Sequence, residues 1–277
     1  MPELEAESGE DLDDGYREDT PLGDNLLMDF VRAEADAFEA MATANGGRIL
    51  HDPDLGVHAV DSATASAFGN IATILRPVGL TASVVADRLR RFYSEGAGGP
   101  FLVFSAWPTP PPKSLGMAPV GHPPLMVRVP GPAVPPGPGG VEIGEVTGAD
   151  ELAELEATLY DAYPDPEMVG APPGALFAPS ALDTAWRFYL ARVDGRSVAT
   201  AASWRSEGVT TVEMVSCRPE ARGRGIGAAI TAAAATDGTQ QPAALIASDL
   251  GQGVYRSLGF VPVLRYTLWL GHRSAGQ

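Results

Sequence analysis

The chain of 277 residues has a single cysteine, Cys217, so no internal disulfide can form. It has no apolar run of the ~18 residues that a membrane-spanning helix needs. Its N-terminus is acidic and lacks the basic and apolar regions of a secretory leader. Together these absences point to the cytoplasm. Basic residues are scarce. With 19 lysines and arginines against 35 acids, the net charge of −16 argues against a nucleic-acid partner. The four histidines, His51, His58, His122 and His272, have no metal-ligand spacing. There is no Gly-x-Ser-x-Gly nucleophile elbow, and no base is visible beside Cys217 to make it a nucleophile, so it reads as a small buried residue.

What is present is a chain 45% apolar, enough for a packed core in one large or two small domains. The charge is uneven: residues 1–20 hold nine acids and one arginine, half of the net charge, and are expected to be a disordered tail. Asp24–Asn45 carries Leu26, Leu27, Phe30, Val31, Ala37, Phe38 and Met41 at helical spacing, with Asp29, Asp36 and Glu39 opposite. Glu34 breaks the pattern, because it falls inside the apolar stripe. Leu55–Val60 reads as a strand. Leu80–Glu95 reads as a helix with Leu80, Val84, Val85, Leu89 and Phe92 on its buried side. Phe101–Trp107 and Pro124–Val129 read as strands joined through the stiff Pro108–Pro112. Pro130–Gly140 holds five prolines and four glycines in eleven residues, which supports neither a helix nor a central strand. The expected organisation is therefore an N-terminal α/β domain at 21–129, a linker at 130–140 and a second domain at 141–277.

In the second half, Val141–Val146 reads as a strand and Asp150–Tyr160 as a helix. The proline-rich 163–179 segment is expected to lie over a binding surface, with Tyr160, Asp161, Tyr163, Asp165 and Glu167 in or beside it. Trp186–Val193, Ser197–Arg205 and Thr210–Cys217 form a three-strand meander, with Asp194-Gly195 as a hairpin signal. Arg222-Gly223-Arg224-Gly225-Ile226-Gly227 follows, and then a helix in which Ile226, Ala229, Ile230 and Ala233 share a face, with Gly238 as its expected cap. Glycines there let the chain turn sharply and bring backbone N–H groups close to a ligand. The first N–H groups of a helix lack partners within it and its dipole favours negative charge, so the expected ligand is a phosphate or pyrophosphate. Ala243–Ala247 is a strand, expected parallel to Thr210–Cys217 through a crossover. A short helix runs from Asp249 to Leu258, and Val261–Leu270 supplies the last strand or hairpin.

Arg222-x-x-Gly225-x-Gly227, after a strand and opening a helix, resembles the acyl-CoA signature of the GNAT acetyltransferase superfamily. Val254-Tyr255-Arg256-Ser257-Leu258-Gly259-Phe260 resembles that family's Leu-Tyr-x-x-Leu-Gly-Phe ending, and the element order from Val141 is the family's order. Many members place an Asn seven residues before that Tyr; here Ser248 stands there. The resemblance covers roughly half the chain and implies an α/β fold with a mixed sheet. The N-terminal half could be a degenerate half of the same fold. It lacks the Arg-x-x-Gly-x-Gly motif, so one acyl-CoA site is expected, in the C-terminal domain.

The resemblance further implies acetyl-CoA as cosubstrate, with no metal. Strands Thr210–Cys217 and Ala243–Ala247 should splay, pantetheine should bond to the backbone of Val215, Ser216 and Cys217, and Arg222, Gly223, Arg224, Gly225, Ile226 and Gly227 should hold the pyrophosphate. Arg218, Arg222 and Arg224 form a local basic cluster. Tyr255 is the candidate general acid, or else a core aromatic. Glu213 is the candidate base, or else a solvent-facing strand residue. The expected activity is acetyl transfer to a primary amine on a small molecule or peptide, without a nucleic-acid or membrane partner; a homodimer is compatible with the sequence. Two alternatives stay open: a non-catalytic acyl-CoA-binding or regulatory protein of the same fold, and a structural α/β domain that binds no nucleotide.

Overall fold

The computed structural model describes residues 22–96, 98–107, 117–131, 137–163, 168, 171–236 and 240–273. The acidic tail, Pro108–Pro112, the middle of 130–140, Asp165, Glu167 and Gly238 lie outside the described residues.

Helix α1 (Leu22–Ala44) is the element against which both halves of the chain fold. Its apolar stripe is wide enough to face two ways. Phe30, Val31, Ala33 and Phe38 cluster with Val60, Ile71 and Phe104 on one side, and with Leu125, Val127 and Ala244 on the other. Ala37 and Met41 pack with Trp186 and Phe188, and Trp186 Nε1 donates to the Ala37 carbonyl at 2.9 Å. Each such fully buried large side chain contributes about 1.5–3 kcal/mol. Asp36 is exposed, and Glu39 meets His58 Nε2 at 2.7 Å, so the acidic face stands where the periodicity puts it. Glu34 is 1% exposed, a carboxyl inside the core.

The N-terminal half supplies strands β1 (Arg48–Asp52), β2 (Val57–Asp61), β3 (Ile71–Ile74), β4 (Phe101–Ser105) and β5 (Ala118–Gly121). Helix α2 (Ala82–Ser94) crosses between the parallel strands β3 and β4. Strand β1 is additional to the sequence reading, and the strand expected at Leu55–Val60 is its hairpin partner β2. On α2, Val84 is 52% exposed rather than buried, and Ala82, Ala86 and Tyr93 take the inward positions with Val85, Leu89 and Phe92.

The remaining elements are β6 (Pro124–Arg128), β7 (Val141–Glu145), α3 (Ala149–Ala162), β8 (Trp186–Val193), β9 (Arg196–Arg205), β10 (Thr210–Cys217), α4 (Ile226–Thr236), β11 (Ala243–Ile246), α5 (Gln252–Ser257), β12 (Val261–Arg265) and β13 (Thr267–Gly271). The β8–β9 turn has Asp194 at φ +50° and Gly195 at φ +75°, the left-handed pair that a tight hairpin needs.

The strands assemble into two mixed sheets, and each sheet takes one strand from the other half. The first runs β1-β2-β3-β4-β13-β5 and the second β12-β6-β11-β10-β9-β8-β7. Strand β6, from before the proline-rich segment, lies between β11 and β12. Strand β13, the last of the described strands, lies between β4 and β5. Val261–Leu270 is therefore neither one strand nor a hairpin. It divides at the fully buried Tyr266, whose N–H donates to the Pro123 carbonyl at 2.9 Å, and its two parts enter different sheets. Pro262 is tolerated because β12 is an edge strand.

Candidate active site

The site begins where β10 loses a neighbour. On one side β10 pairs with β9 along its length. On the other it pairs with β11 only through Thr210↔Ala243 and Thr211↔Ala244. Beyond Thr211 the two parallel strands part, as the expected splay requires.

A bulge lies at the same place. Met214 and Val215 together oppose the single Ala201 of β9, and Met214 has φ +54°. Bulges bend a strand and re-aim its side chains. This one is braced by Thr200, whose hydroxyl donates to the Met214 carbonyl at 2.8 Å and lies 2.7 Å from Ser216 Oγ.

After β10 the chain turns into α4. Gly223 and Gly225 have φ +73° and +80°, a region that a Cβ disfavours, so both glycines are required by the turn itself. Gly227 is different: its φ is ordinary, and a Cβ there would meet nothing within 4 Å. Ile226 is buried beside Ile230, so its side chain anchors α4 and only its N–H faces the turn. Arg222 is a strut: Nε donates to the Cys217 carbonyl and a terminal nitrogen to the Ala162 carbonyl, both at 3.0 Å. Arg218 pairs with Asp161, while Arg224 stands exposed at the turn. Burial lifts the Cys217 thiol above its ordinary range, so it stays protonated.

At the parting of β10 and β11 lies a cavity of about 280 Å³. Glu213, Val215, Ser216, Ser248 and Tyr255 all line it. The structure thus brings together five of the sequence-derived candidates. Cys217 and the Arg222–Gly227 turn lie beyond the cavity lining, along the path from β10 into α4. Ser248 accepts the Gly251 N–H through its hydroxyl at 3.3 Å, so here it also ties down the start of α5. Tyr255 lies with its ring against Gly251, where a Cβ would come within 2.6 Å of a ring carbon.

Glu213 is not a solvent-facing strand residue. Its Oε1 is buried without a hydrogen-bond partner among the described residues, and burial pushes the carboxyl up to about 8. Burial, and then the charge of Glu213, pushes the Tyr255 phenol up to about 12. Glu34 sits behind them on α1. Both its oxygens are buried and unpartnered among the described residues, and burial followed by the charge of Glu213 holds it well above the ordinary carboxylate range. The Tyr266 hydroxyl is likewise buried and unpartnered there, and is raised by burial, then by Glu34, then by Glu213.

The far wall comes from residues to which the sequence reading gave no individual role in the site. Phe38 of α1, Phe68, Ile71 of β3 and Phe104 of β4 reach the cavity from the N-terminal half, and Leu176 closes it from the segment after α3. That segment is held by buried Glu156, whose carboxylate accepts the N–H groups of Gly174, Leu176 and Phe177 at 3.2, 3.2 and 3.4 Å. Asn45, at the end of α1, bonds Leu176 and Ala178 from the other side. Glu34 carried a sequence signal, a charge in an apolar stripe, and Leu176 lies in the 163–179 segment expected over a binding surface; Thr200 and the other wall residues carried none.

Residues 184–262 match the family model for an acetyltransferase (GNAT) domain. Solved structures repeat the fold over most of the chain. A GCN5-related N-acetyltransferase from Kribbella flavida is 24% identical, with 88% of this chain and 96% of that one covered at a TM-score of 0.60. A putative GNAT acetyltransferase from Novosphingobium aromaticivorans is 21% identical, covering 79% and 89% at 0.52. A functionally unknown conserved protein from Staphylococcus epidermidis is 14% identical, covering 82% and 94% at 0.58. A comparison with curated proteins gave no match. Among the described residues no helix is long and apolar enough to cross a membrane. The glycine turn and the parted strands both fall inside the stretch 184–262, which is similar to a GNAT acetyltransferase domain.

Proposed function

We propose that the protein is an acetyl-CoA-dependent N-acetyltransferase acting on a primary amine. One observation carries the reading: Glu213 and Tyr255 line a single cavity at the point where β10 and β11 part. The residues present suit an acyl-CoA. Beyond Thr211 the backbone of β10 lacks a β11 partner, which suits an extended chain such as pantetheine. The first N–H groups of α4 and the open space around Gly227 suit a pyrophosphate.

Acetyl-CoA supplies an activated acetyl group. The chain's own residues manage the protons. Glu213, raised to about 8, is closer in basicity to an amine than an ordinary carboxylate is, so it takes the ammonium proton less uphill. The amine nitrogen then forms its bond to the thioester carbon while the carbon–sulfur bond breaks. Tyr255 is protonated at neutral pH and gives its proton to the departing sulfur. The nitrogen sheds its second proton as the amide forms, and that proton restores the Tyr255 phenol; the products are the amide, free CoA thiol and one proton, which leaves through Glu213. The N-terminal unit shapes the acceptor end of the cavity in this reading.

The test is release of CoA thiol from acetyl-CoA in the presence of an amine panel, with the acetylated amine identified by mass. CoA binding without acetyl transfer to any amine would make the protein a non-catalytic binder.

A further inference from the structure

Apart from Glu213 and the hydroxyl-bearing Tyr160, Tyr163, Tyr255, Ser216 and Ser248, the described walls of the cavity are apolar and come from many elements. They include Phe38, Phe68, Ile71, Phe104, Leu176 and Leu268. The wall is braced: Phe38 and Phe104 meet edge to face at 6.3 Å, and Phe68 and Tyr163 do so at 5.8 Å. Among the described residues Glu213 is, apart from tyrosines, the one titratable side chain in the lining, and its Oε1 has no hydrogen-bond partner there. An isolated buried carboxylate costs several kcal/mol unless a cation meets it. At the other end a second charge would lie against aromatic rings and aliphatic carbons, with tyrosine hydroxyls making up only part of its lost hydration.

From this geometry we propose that the acceptor is a monoamine on an apolar body. Its amino group lies at Glu213 and its body against the wall that Phe38, Phe68, Phe104 and Leu176 build. The proposal names the substrate class for the acetyl-transfer reading and rests on that reading. It sets aside diamines and amino acids with a free carboxylate.

The test uses the full-length protein and a homologous series of n-alkylamines from ethylamine to hexylamine. Each added methylene buried in such a wall is worth about 0.8 kcal/mol, close to fourfold. The value of kcat/KM is therefore expected to climb about fourfold per methylene. 1,6-Diaminohexane and 6-aminohexanoate are expected to fall about 100-fold or more below hexylamine. Phe68→Ser, at a residue 40% exposed and so tolerant of change, should flatten the slope by lowering hexylamine more than ethylamine. A flat series, or diamines preferred, overturns the proposal and leaves acetyl transfer standing. Calorimetry separates the two ideas. Acetyl-CoA titrated alone tests the cofactor reading. Hexylamine titrated alone, against wild type and Glu213→Gln, tests the pocket: binding lost in the variant supports the proposal, and absent or unchanged binding overturns it.

Discussion

The two halves of the molecule contain the same device built twice: a strand, a crossover helix and a parallel strand, followed in the sheet by a strand borrowed from the other half. In the first, β3 and β4 stay paired at four successive positions, Ile71↔Leu102 through Ile74↔Ser105. In the second, β10 and β11 share two pairs and then part. In the first, the chain leaves β3 through Pro77 and Gly79 into α2, and Thr81 makes no side-chain cap. In the second, it leaves a bulged strand through Gly223 and Gly225 into α4. The topology alone therefore makes no site. The site needs the early end of the ladder, the bulge at Met214, and a helix start left open to solvent.

The harshest way to break the comparison is to stop the exchange of strands. Truncation after Arg265 removes β13 from the middle of the first sheet, and the shortened chain is expected to lose cooperative unfolding. Trp269→Ala, at a side chain 1% exposed, is the milder form and should cost about 3–5 kcal/mol in urea denaturation. A loss below about 1 kcal/mol would show that the first sheet does not depend on the borrowed strand.

Next in size is Tyr255→Phe. Turnover is expected to fall by about 10² to 10⁴, the range for one general acid, with CoA affinity kept. Wild-type turnover in this variant would remove Tyr255 from the chemistry.

Glu213→Gln sharpens the comparison by pH. The base acts when ionised, so the wild-type rate should rise through about pH 8 and level off above it, and the variant should lose that limb. Stability moves the other way. The native carboxyl holds its proton at pH values where the unfolded one has lost it, so native protein binds more protons and stability falls as pH rises from about 4.5 to 8. The wild type should be as stable as the variant at pH 4 and less stable at pH 9. Equal melting temperatures of the two proteins at pH 9 would contradict the burial of this charge.

The smallest expected effect contrasts two glycines. Gly227→Ala has ordinary φ and free space, so stability should stay within about 0.5 kcal/mol, while CoA affinity falls because the methyl group stands where phosphate approaches. Gly79→Ala, at φ +46° on the other crossover, should cost about 1 kcal/mol and leave CoA affinity alone. If Gly227→Ala bound CoA like wild type, the helix start would not be the phosphate site.

Legibility in the sequence followed range. The strand, glycine turn and helix at 210–236 were readable because their signals lie within a few residues of one another. So was the hairpin at Asp194-Gly195. Glu34 was visible as an anomaly, although its nearness to Glu213 depends on α1 packing against β10, more than 170 positions away. The fates of β6 and β13 were not legible. Val261–Leu270 looks locally like one ladder, and nothing in its periodicity says that Tyr266 is where it changes sheets. Val84 and Ala86 exchange burial for the same reason: the face that a helix buries is set by what it meets.

The strand exchange also has a consequence in time. On the ribosome, β4 and β5 emerge on the order of 150 residues before β13, which must lie between them. At roughly 5–20 residues per second, the nascent first sheet keeps an open seam for about 8–30 s. Strands β12 and β13 complete the two sheets, so neither sheet is whole until residues 261–271 have left the exit tunnel. The β13–β4 pairing that finishes the first sheet is also the longest strand pairing in sequence among the described residues, which predicts slow refolding. During that interval the facing edges of β4 and β5, with Phe101, Leu102 and Phe104 in the first of them, are a natural binding place for a chaperone.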